Sequence, residues 1–480
     1  MRKSDLLQLA AAAMKTEAYS IVFPTVLFSI SQIVIHAILP QVIVELVCHD
    51  VPGRIDCTST AVSEKASLVN LISSFTINIP CVFLIGFYAS YAKKYGLKIA
   101  LLTPIIGNLL FLTTILAARH TKAYFSTVMI GSLISGLSGG RNCFMMATFA
   151  YAADVTTTQE RSKVFSVIEI SIYTAKILCP FTVGILSRKY GFGLALFLGI
   201  SVCLFNILWI LLVMNDPVKK EDTLAPPSPT LKDLLSTSSD DTACNEFSIR
   251  KRTEHQLVFH PFATFHSMGR LFGKNALGNV TVPVISGVYF IYHMIAVGVH
   301  VIEILFVKHK FHWDPYVIGI FGSVNGIMEI LSMLAAPVIA YRLLGLAMTD
   351  LNWIEIGLWA RGLFFCFFGF ATNGFELFSA LSLLIFCGPV VPRIKSYLSK
   401  SVGPQQQSEL FAALAAIDAI SAFLSPVFTA AYFRTVASFP GYVFEIIAIL
   451  YVLSGVTVYW IRQGSVQDVL DYLPTSSDAM

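Results

Sequence analysis

Ionisable side chains lie inside long apolar stretches of this 480-residue sequence, where they are not explained as solvated surface groups. Glu169 stands near the beginning of one such stretch, and Lys176 follows it by seven residues. In a helix the two lie near one face but about 10 Å apart along the axis, which is too far for a direct salt bridge. Arg141 stands in the preceding apolar stretch, directly after Gly139 and Gly140. An embedded charge costs about 2.5–3.5 kcal/mol on insertion scales, so each of the three indicates a functional site.

These residue types predict two kinds of chemistry. A carboxylate removed from water binds and releases protons more readily near neutral pH, so we expect Glu169 to couple proton movement. Its structural alternative is an ion pair with a nearby base such as Arg161. Two cations at similar depth on neighbouring helices, Arg141 and Lys176, predict a cavity that attracts an anion. The alternative is that they pair internally, for example with Asp418 or Glu329, which would leave no anion site.

Other embedded polar groups divide into candidate proton sites and candidate solute contacts. His300 and Glu303 are three residues apart and can interact on one helix face. A carboxylate beside a histidine stabilises the imidazolium, so this pair is a possible relay, with a solvated outer gate as the alternative. The candidate proton sites are Glu169, His300, Glu303, Glu329 and Asp418. The candidate solute contacts are Arg141, Lys176, His36, Gln32 and His293, although a lone histidine such as His36 is more often a core group.

The composition indicates which classes of protein this sequence can encode. It is 55% hydrophobic and 13% charged, with a mean hydropathy of +0.71, whereas soluble domains are about 25% charged. The excess apolar surface must face lipid, which excludes a soluble enzyme and a nucleic-acid module. The net charge of +4 is too small to indicate a polyanionic partner. The sequence contains no Gly-rich phosphate loop, metal cluster or catalytic constellation, so we expect no enzyme, no ATP-driven pump, no cofactor and no metal.

Twelve apolar runs are long enough to span a bilayer as helices. A hydrocarbon core about 30 Å thick needs about 20 helical residues, and lipid satisfies no backbone group of an open strand. We therefore predict an all-α membrane protein. The predicted spans are 18–47, 66–92, 98–118, 123–153, 163–187, 190–215, 280–306, 315–341, 352–372, 375–398, 409–433 and 438–461.

The distribution of lysine and arginine predicts the orientation of the chain. Most of them fall in the loops that lie on the same side as the two termini, which places both termini in the cytosol. The loop 48–57 is then outside, where an oxidising environment favours a disulfide between Cys48 and Cys57. The expected divisions are a cytosolic N-terminal segment 1–17, a six-helix half 18–215, a cytosolic central loop 216–279, a second six-helix half 280–461 and a cytosolic tail 462–480.

One segment carries a specific resemblance. Residues 139–169, GGRNCFMMATFAYAADVTTTQERSKVFSVIE, resemble helix four, its inner loop and the start of helix five in the proton-coupled folate transporter family. That family is related to the tetracycline-type drug:proton antiporters of the major facilitator superfamily. The match rests on Ala-Asp-Val before a polar run, followed by Arg161, Phe165 and Glu169. Residues 390–420 resemble helices ten and eleven of the family more loosely, and 311–323 resemble the outer start of helix eight in related members.

The resemblance implies a fold and a set of roles. It implies twelve transmembrane helices in two six-helix halves with the solute at the midplane between them, and it places the family's proton-linked acid of helix five at Glu169. Asp154 and Arg161 at the inner loop are expected to be gate residues, together with Gly96 and Arg393. The inner loop between helices two and three departs from the superfamily pattern, because 89–98 keeps only the glycine at 96 and a lysine at 98. Arg141 and Lys176 also replace the neutral or small residues that the family has there.

Arg361 is the remaining embedded cation. Helix nine is peripheral in this plan, so we expect the Arg361 side chain to extend to the membrane surface by snorkelling. Glu355 lies six residues earlier, on the wrong helix face to pair with it.

The sequence as a whole predicts a proton-coupled secondary transporter, a symporter of a small organic and anionic solute. The alternatives are a drug:proton antiporter that exports hydrophobic compounds and a non-transporting nutrient sensor that signals through 216–274. The expected partners are the solute, protons and the lipid bilayer, with no nucleic acid, and the expected state is a monomer. We expect the plasma membrane as the location, with a vacuolar or other endomembrane as the alternative.

Overall fold

The computed structural model describes residues 19–50, 60–118, 124–214, 281–313, 315–344, 348–403, 406–424, 426–435 and 438–471. All regular structure in these residues is helical. The first half contains α1 (Val22–Asp50), α2 (Thr60–Tyr95), α3 (Leu97–Ala118), α4 (Tyr124–Leu137), α5 (Gly140–Val155), α6 (Arg161–Tyr190) and α7 (Phe192–Val213). The second half contains α8 (Thr281–Phe311), α9 (Pro315–Leu344), α10 (Asp350–Phe370), α11 (Gly374–Ala380), a 3-10 helix (Leu381–Phe386), α12 (Val390–Lys400), α13 (Gln407–Leu424), α14 (Pro426–Thr435) and α15 (Tyr442–Asp471).

Each of the twelve predicted spans is occupied by one helix or by consecutive helical segments. Within the described residues, nine helical segments are long and apolar enough to cross a membrane individually. Most of predicted span one is α1, which begins at Val22 and ends at Asp50, span four is divided between α4 and α5, and the charged span five is α6. The last helix, α15, extends to Asp471 and therefore beyond the predicted boundary at 461.

The two halves meet along four principal helix pairs. The helix α13 of the second half packs against α2 and α5 of the first, and α6 of the first half packs against α9 and α12 of the second. Inside the halves, α1 packs against α6 and α7, and α10 packs against α15. The embedded charges of α5, α6, α9, α12 and α13 therefore lie on the helices that join the halves.

The fourth span of each half is interrupted. In the first half the break falls at Gly139 and Gly140, whose positive φ angles of 85° and 50° a side chain would strain. In the second half a turn at 387–389 follows the 3-10 helix, and Gly388 donates its backbone N–H to the Ser332 hydroxyl at 2.6 Å. A Cβ atom at Gly388 would collide with Ser332. Interrupted segments at corresponding positions of two halves indicate where a transporter binds its solute.

Candidate functional site

A buried ion pair joins the two halves at Glu169. Lys395 of α12 donates from Nζ to the Glu169 carboxylate of α6 at 2.9 Å, and the two side chains are only 9% and 11% exposed. The same Nζ lies 3.8 Å from the centre of the Phe149 ring. Glu169 therefore forms the ion pair that was considered as the structural alternative, but its base is Lys395 of the other half and not Arg161. Lys395 was not predicted as the partner of Glu169, because it was assigned to the cations of the inner loops.

A second buried pair lies inside the second half. Arg361 of α10 donates to Glu329 of α9, and both side chains are nearly enclosed. The Arg361 guanidinium also lies 5.4 Å from the centre of the Tyr292 ring. The snorkelling prediction for Arg361 is wrong, because a carboxylate from the neighbouring helix compensates the charge where it is. Glu355 indeed does not pair with Arg361, since it contacts Arg462 at 3.1 Å.

A third acid, Asp418 of α13, lies beside His293 of α8. Asp418 Oδ1 and His293 Nε2 are 3.5 Å apart. The structure thus brings together one residue predicted as a proton site and one predicted as a solute contact. Both belong to the second half.

Arg141 and Lys176 are the cations that remain. Their side chains are exposed, and neither forms an ion pair or a hydrogen bond in the part of the chain that the structure describes. Lys176 Nζ lies 5.0 Å from the centre of the Tyr173 ring, and it is within electrostatic range of Arg141, Glu169 and Glu329. The internal pairing considered for these cations is not found among the described residues, because Glu329 pairs with Arg361 and Asp418 lies beside His293.

The remaining predicted polar residues, Gln32, His300 and Glu303, do not belong to the ion pairs described above. Gln32 donates to the Asn108 amide oxygen at 2.8 Å, so it links α1 to α3 within the first half. His300 is exposed and within electrostatic range of Lys176, whereas Glu303 is partly buried near Arg361 and Glu329. No ion pair or hydrogen bond joins His300 to Glu303 among the described atoms.

Two predicted positions are only partly described. The His36 side chain and Cys57 lie outside the described residues. Cys48 is disulfide-bonded. Because Cys57 lies outside the described residues, the pairing of Cys48 with Cys57 stays a prediction.

Arg161 links the halves at the end of the bundle that is predicted to be cytosolic. Its Nη1 donates to the backbone carbonyl and the hydroxyl of Ser399, both at 3.1 Å, and its Nη2 donates to the Ala153 carbonyl at 3.0 Å. Ser399 in turn donates to Gln407 at 2.6 Å. Asp154 is exposed and within electrostatic range of Arg161. The bundle is therefore closed at the end that carries residues 156–160 and 401–403.

An aromatic cluster lies between this link and Glu169. Phe149 of α5, Phe165 of α6 and Phe411 of α13 have ring centres 5.1 to 5.9 Å apart, and all three side chains are buried. Since Phe411 belongs to the other half, the cluster closes the same end with apolar contacts.

The other two predicted gate residues make contacts within one half. Gly96 connects α2 to α3 with a positive φ of 103°. Arg393 pairs with Asp350 at 2.7 Å, and Lys400 contacts the same carboxylate at 2.6 Å. These bonds tie α12 to α10 inside the second half, so Arg393 does not bridge the halves in this conformation.

We expect Arg161→Ala to loosen the closed end without unfolding the protein. Hydrogen bonds from a charged group contribute about 1.5–3 kcal/mol each, and two of the three connect the halves. Hydrogen–deuterium exchange should become faster in peptides that cover 153–161 and 396–402. Lys163→Ala is the matched control, because Lys163 is an exposed cation of the same helix. Equal exchange in the two variants would show that Arg161 does not hold this end closed.

Comparison with known proteins places these features in a family. A family model described as Major Facilitator Superfamily matches residues 21–349. The lysosomal proton-coupled steroid conjugate and bile acid symporter SLC46A3 of Mus musculus is 21% identical over 408 residues, which cover 84% of this chain and 81% of that protein. The proton-coupled folate transporter of Rattus norvegicus is 25% identical over 371 residues, which cover 75% of this chain and 72% of that protein.

The fold is also found among solved structures. The crystal structure of the human organic anion transporter MFSD10 (TETRAN) matches with a TM-score of 0.68 at 15% sequence identity, covering 93% of this chain and 99% of that one. At this identity the match shows the fold alone. The predicted all-α membrane fold of twelve helices in two halves is confirmed, as is the resemblance to the folate transporter family.

Proposed function

The chain belongs to the Major Facilitator Superfamily, and from this premise we propose that it is a secondary active symporter that couples protons to the movement of a small organic anion by alternating access. It is an integral multi-pass membrane transporter and not an enzyme. The proton coupling, the class of solute and the residues below belong to the proposal.

The observation that carries the proposal is the pair of uncompensated cations, Arg141 and Lys176. They repel each other and lie on neighbouring helices, while the nearest acids are occupied by Lys395 and Arg361. In a cavity with a low effective dielectric, an anion placed between such cations is attracted far more strongly than in water. A solute with a carboxylate, sulfate or similar group satisfies both charges.

Proton coupling is supported by the position of Glu169. Its ion pair with Lys395 is one of the bonds between the halves, close to the closed end. A proton on Glu169 removes the attraction, and the remaining contacts at that end then separate at a lower cost. Loading of this carboxylate thus biases the equilibrium between two arrangements of the halves, which is how a ligand drives a conformational change.

The names of the relatives agree with this reading. Both curated relatives are called proton-coupled, and one is named for steroid conjugates and bile acids. The solute of this chain is therefore sought among organic anions. A drug:proton antiporter for cationic compounds is disfavoured by Arg141 and Lys176. The lysosomal relative also gives weight to an endomembrane location beside the plasma membrane, and we retain a monomer with cytosolic termini.

The proposal is tested by thermal stabilisation of the purified protein with a panel of matched compounds. The panel contains organic anions, their neutral esters and organic cations of similar size. A ligand at a hundred times its Kd stabilises the folded state by about 2.7 kcal/mol, which is easily detected as a shift in Tm. We expect stabilisation by some of the anions and none by the corresponding esters. Stabilisation confined to cations or neutral compounds would contradict the anion site.

A further inference from the structure

A second cluster of polar groups in the second half has unsatisfied atoms. Tyr289 and His293 lie on α8, and Asp418 lies on α13. Three enclosed atoms, Tyr289 Oη, His293 Nδ1 and Asp418 Oδ1, have no hydrogen-bond partner among the described residues. Tyr289 is 0% exposed, and its hydroxyl is close enough to Asp418 to interact with it. The ring centres of Tyr289 and His293 are 5.7 Å apart.

Such a cluster is costly unless it binds something. A buried polar atom without a partner costs about 1–3 kcal/mol, and more when it is charged. The 3.5 Å between Asp418 Oδ1 and His293 Nε2 is longer than an effective hydrogen bond. A proton located between Nε2 and Oδ1 satisfies the Asp418 oxygen, because it converts a weak contact into a charge-assisted hydrogen bond.

We propose that His293 and Asp418 share one proton and form a second proton-binding site, held entirely by the second half, to which the Tyr289 hydroxyl donates. This inference rests on the proposed function in assigning the site to proton-coupled transport. It reassigns His293 from a solute contact to a proton carrier.

The groups that face this cluster determine when it is occupied. Burial is the largest factor that opposes a positive charge on His293; Lys395 of α12 and Arg141 of α5 also repel it, whereas Asp418 of α13 and Glu169 of α6 attract it. An anion bound at Arg141 compensates one of the two opposing charges. Solute and proton therefore strengthen each other's binding, and this coupling is reciprocal by thermodynamic necessity.

The two proton sites also affect each other. While Glu169 is ionised, it offsets part of the repulsion between Lys395 and a proton at the cluster. When Glu169 is protonated, the charge of Lys395 is no longer offset and acts on His293. Binding at one site therefore opposes binding at the other, and the two sites titrate as a coupled pair.

The experiment is infrared difference spectroscopy of the purified, ligand-free protein, acidified over the range of about pH 5 to 8 in which histidine changes its charge. We expect the wild-type spectrum to contain a carboxyl or imidazolium component that is lost in both His293→Gln and Asp418→Asn. Glu169→Gln should remove a different component. His300→Gln is the control, since His300 is an exposed histidine seven residues further along the same helix, and its own contribution should leave the cluster component unchanged.

Two results would overturn the inference. One is that His293→Gln and Asp418→Asn each remove a different component from the spectrum, so that no component is lost in both variants. The other is that a sodium ion, rather than acidification, changes the Asp418 carboxylate bands. If Asp418→Asn does not fold, the spectrum of His293→Gln decides alone. This variant is expected to fold, because it replaces the imidazole ring with a neutral amide. The spectra need no solute, so a negative result here and a negative compound panel are independent of each other.

Discussion

Glu169→Gln should abolish the pH-driven accumulation of solute while exchange between equal pools of solute continues. The substitution keeps the shape of the side chain and removes its ability to bind a proton. Exchange needs no proton release, so only the coupled process is lost. The measurement is uptake into proteoliposomes with and without a pH gradient, followed by exchange at equal concentrations. A variant that accumulates solute like the wild type from about pH 5 to 8 would show that Glu169 is structural.

The control for this prediction addresses the partner charge. Glu169→Gln leaves Lys395 in an enclosed position without its carboxylate, and breaking a buried pair costs about 3–5 kcal/mol. If the folded yield falls, the double variant Glu169→Gln with Lys395→Gln should restore it, because neither charge remains. The double variant should still lack accumulation. Recovery of coupling in it would place the proton site elsewhere.

Removal of Arg141 or Lys176 should weaken solute binding without destabilising the fold. Neither cation forms an ion pair or a hydrogen bond in the described structure, so truncation leaves no buried acid uncompensated. A charge-assisted contact contributes about 1.5–3 kcal/mol, which corresponds to roughly a ten- to over a hundredfold loss of affinity. Binding of the most stabilising anion of the panel, together with Tm, is measured for Arg141→Ala and Lys176→Ala. Lys163→Ala is the matched control, because it removes another exposed cation of α6, close to the start of that helix.

Arg361→Met should show the opposite behaviour. It leaves Glu329 as an unpaired carboxylate, 7% exposed, between α9 and α10. The expected cost of about 3–5 kcal/mol appears as lost folded yield or a lower Tm, with little change in the affinity of the protein that folds. The opposite result would contradict the assignment of paired and unpaired cations. In that case Arg141→Ala and Lys176→Ala would lose stability, and Arg361→Met would lose only affinity.

The sequence predicted the helices well because the length and apolar character of a span are local properties. The break at Gly139 and Gly140 was not predicted, since 123–153 was taken as one continuous span. The partners of the embedded charges could not be predicted either, because they depend on which helices of the two halves come together. Lys395 lies 226 positions from Glu169 along the chain, and no spacing rule connects them. Arg361 was expected to snorkel because helix nine is peripheral in the family plan, whereas its acid, Glu329, comes from the neighbouring helix.

The most direct test of the account uses the wild-type protein reconstituted in proteoliposomes. A pH gradient, acidic on the side from which the solute enters, is imposed in the presence of an organic anion that stabilised the protein in the panel. We predict that the anion accumulates above its external concentration, and that a protonophore abolishes the accumulation. Accumulation that ignores the gradient, or that requires the opposite gradient, would contradict proton-coupled symport of an anion.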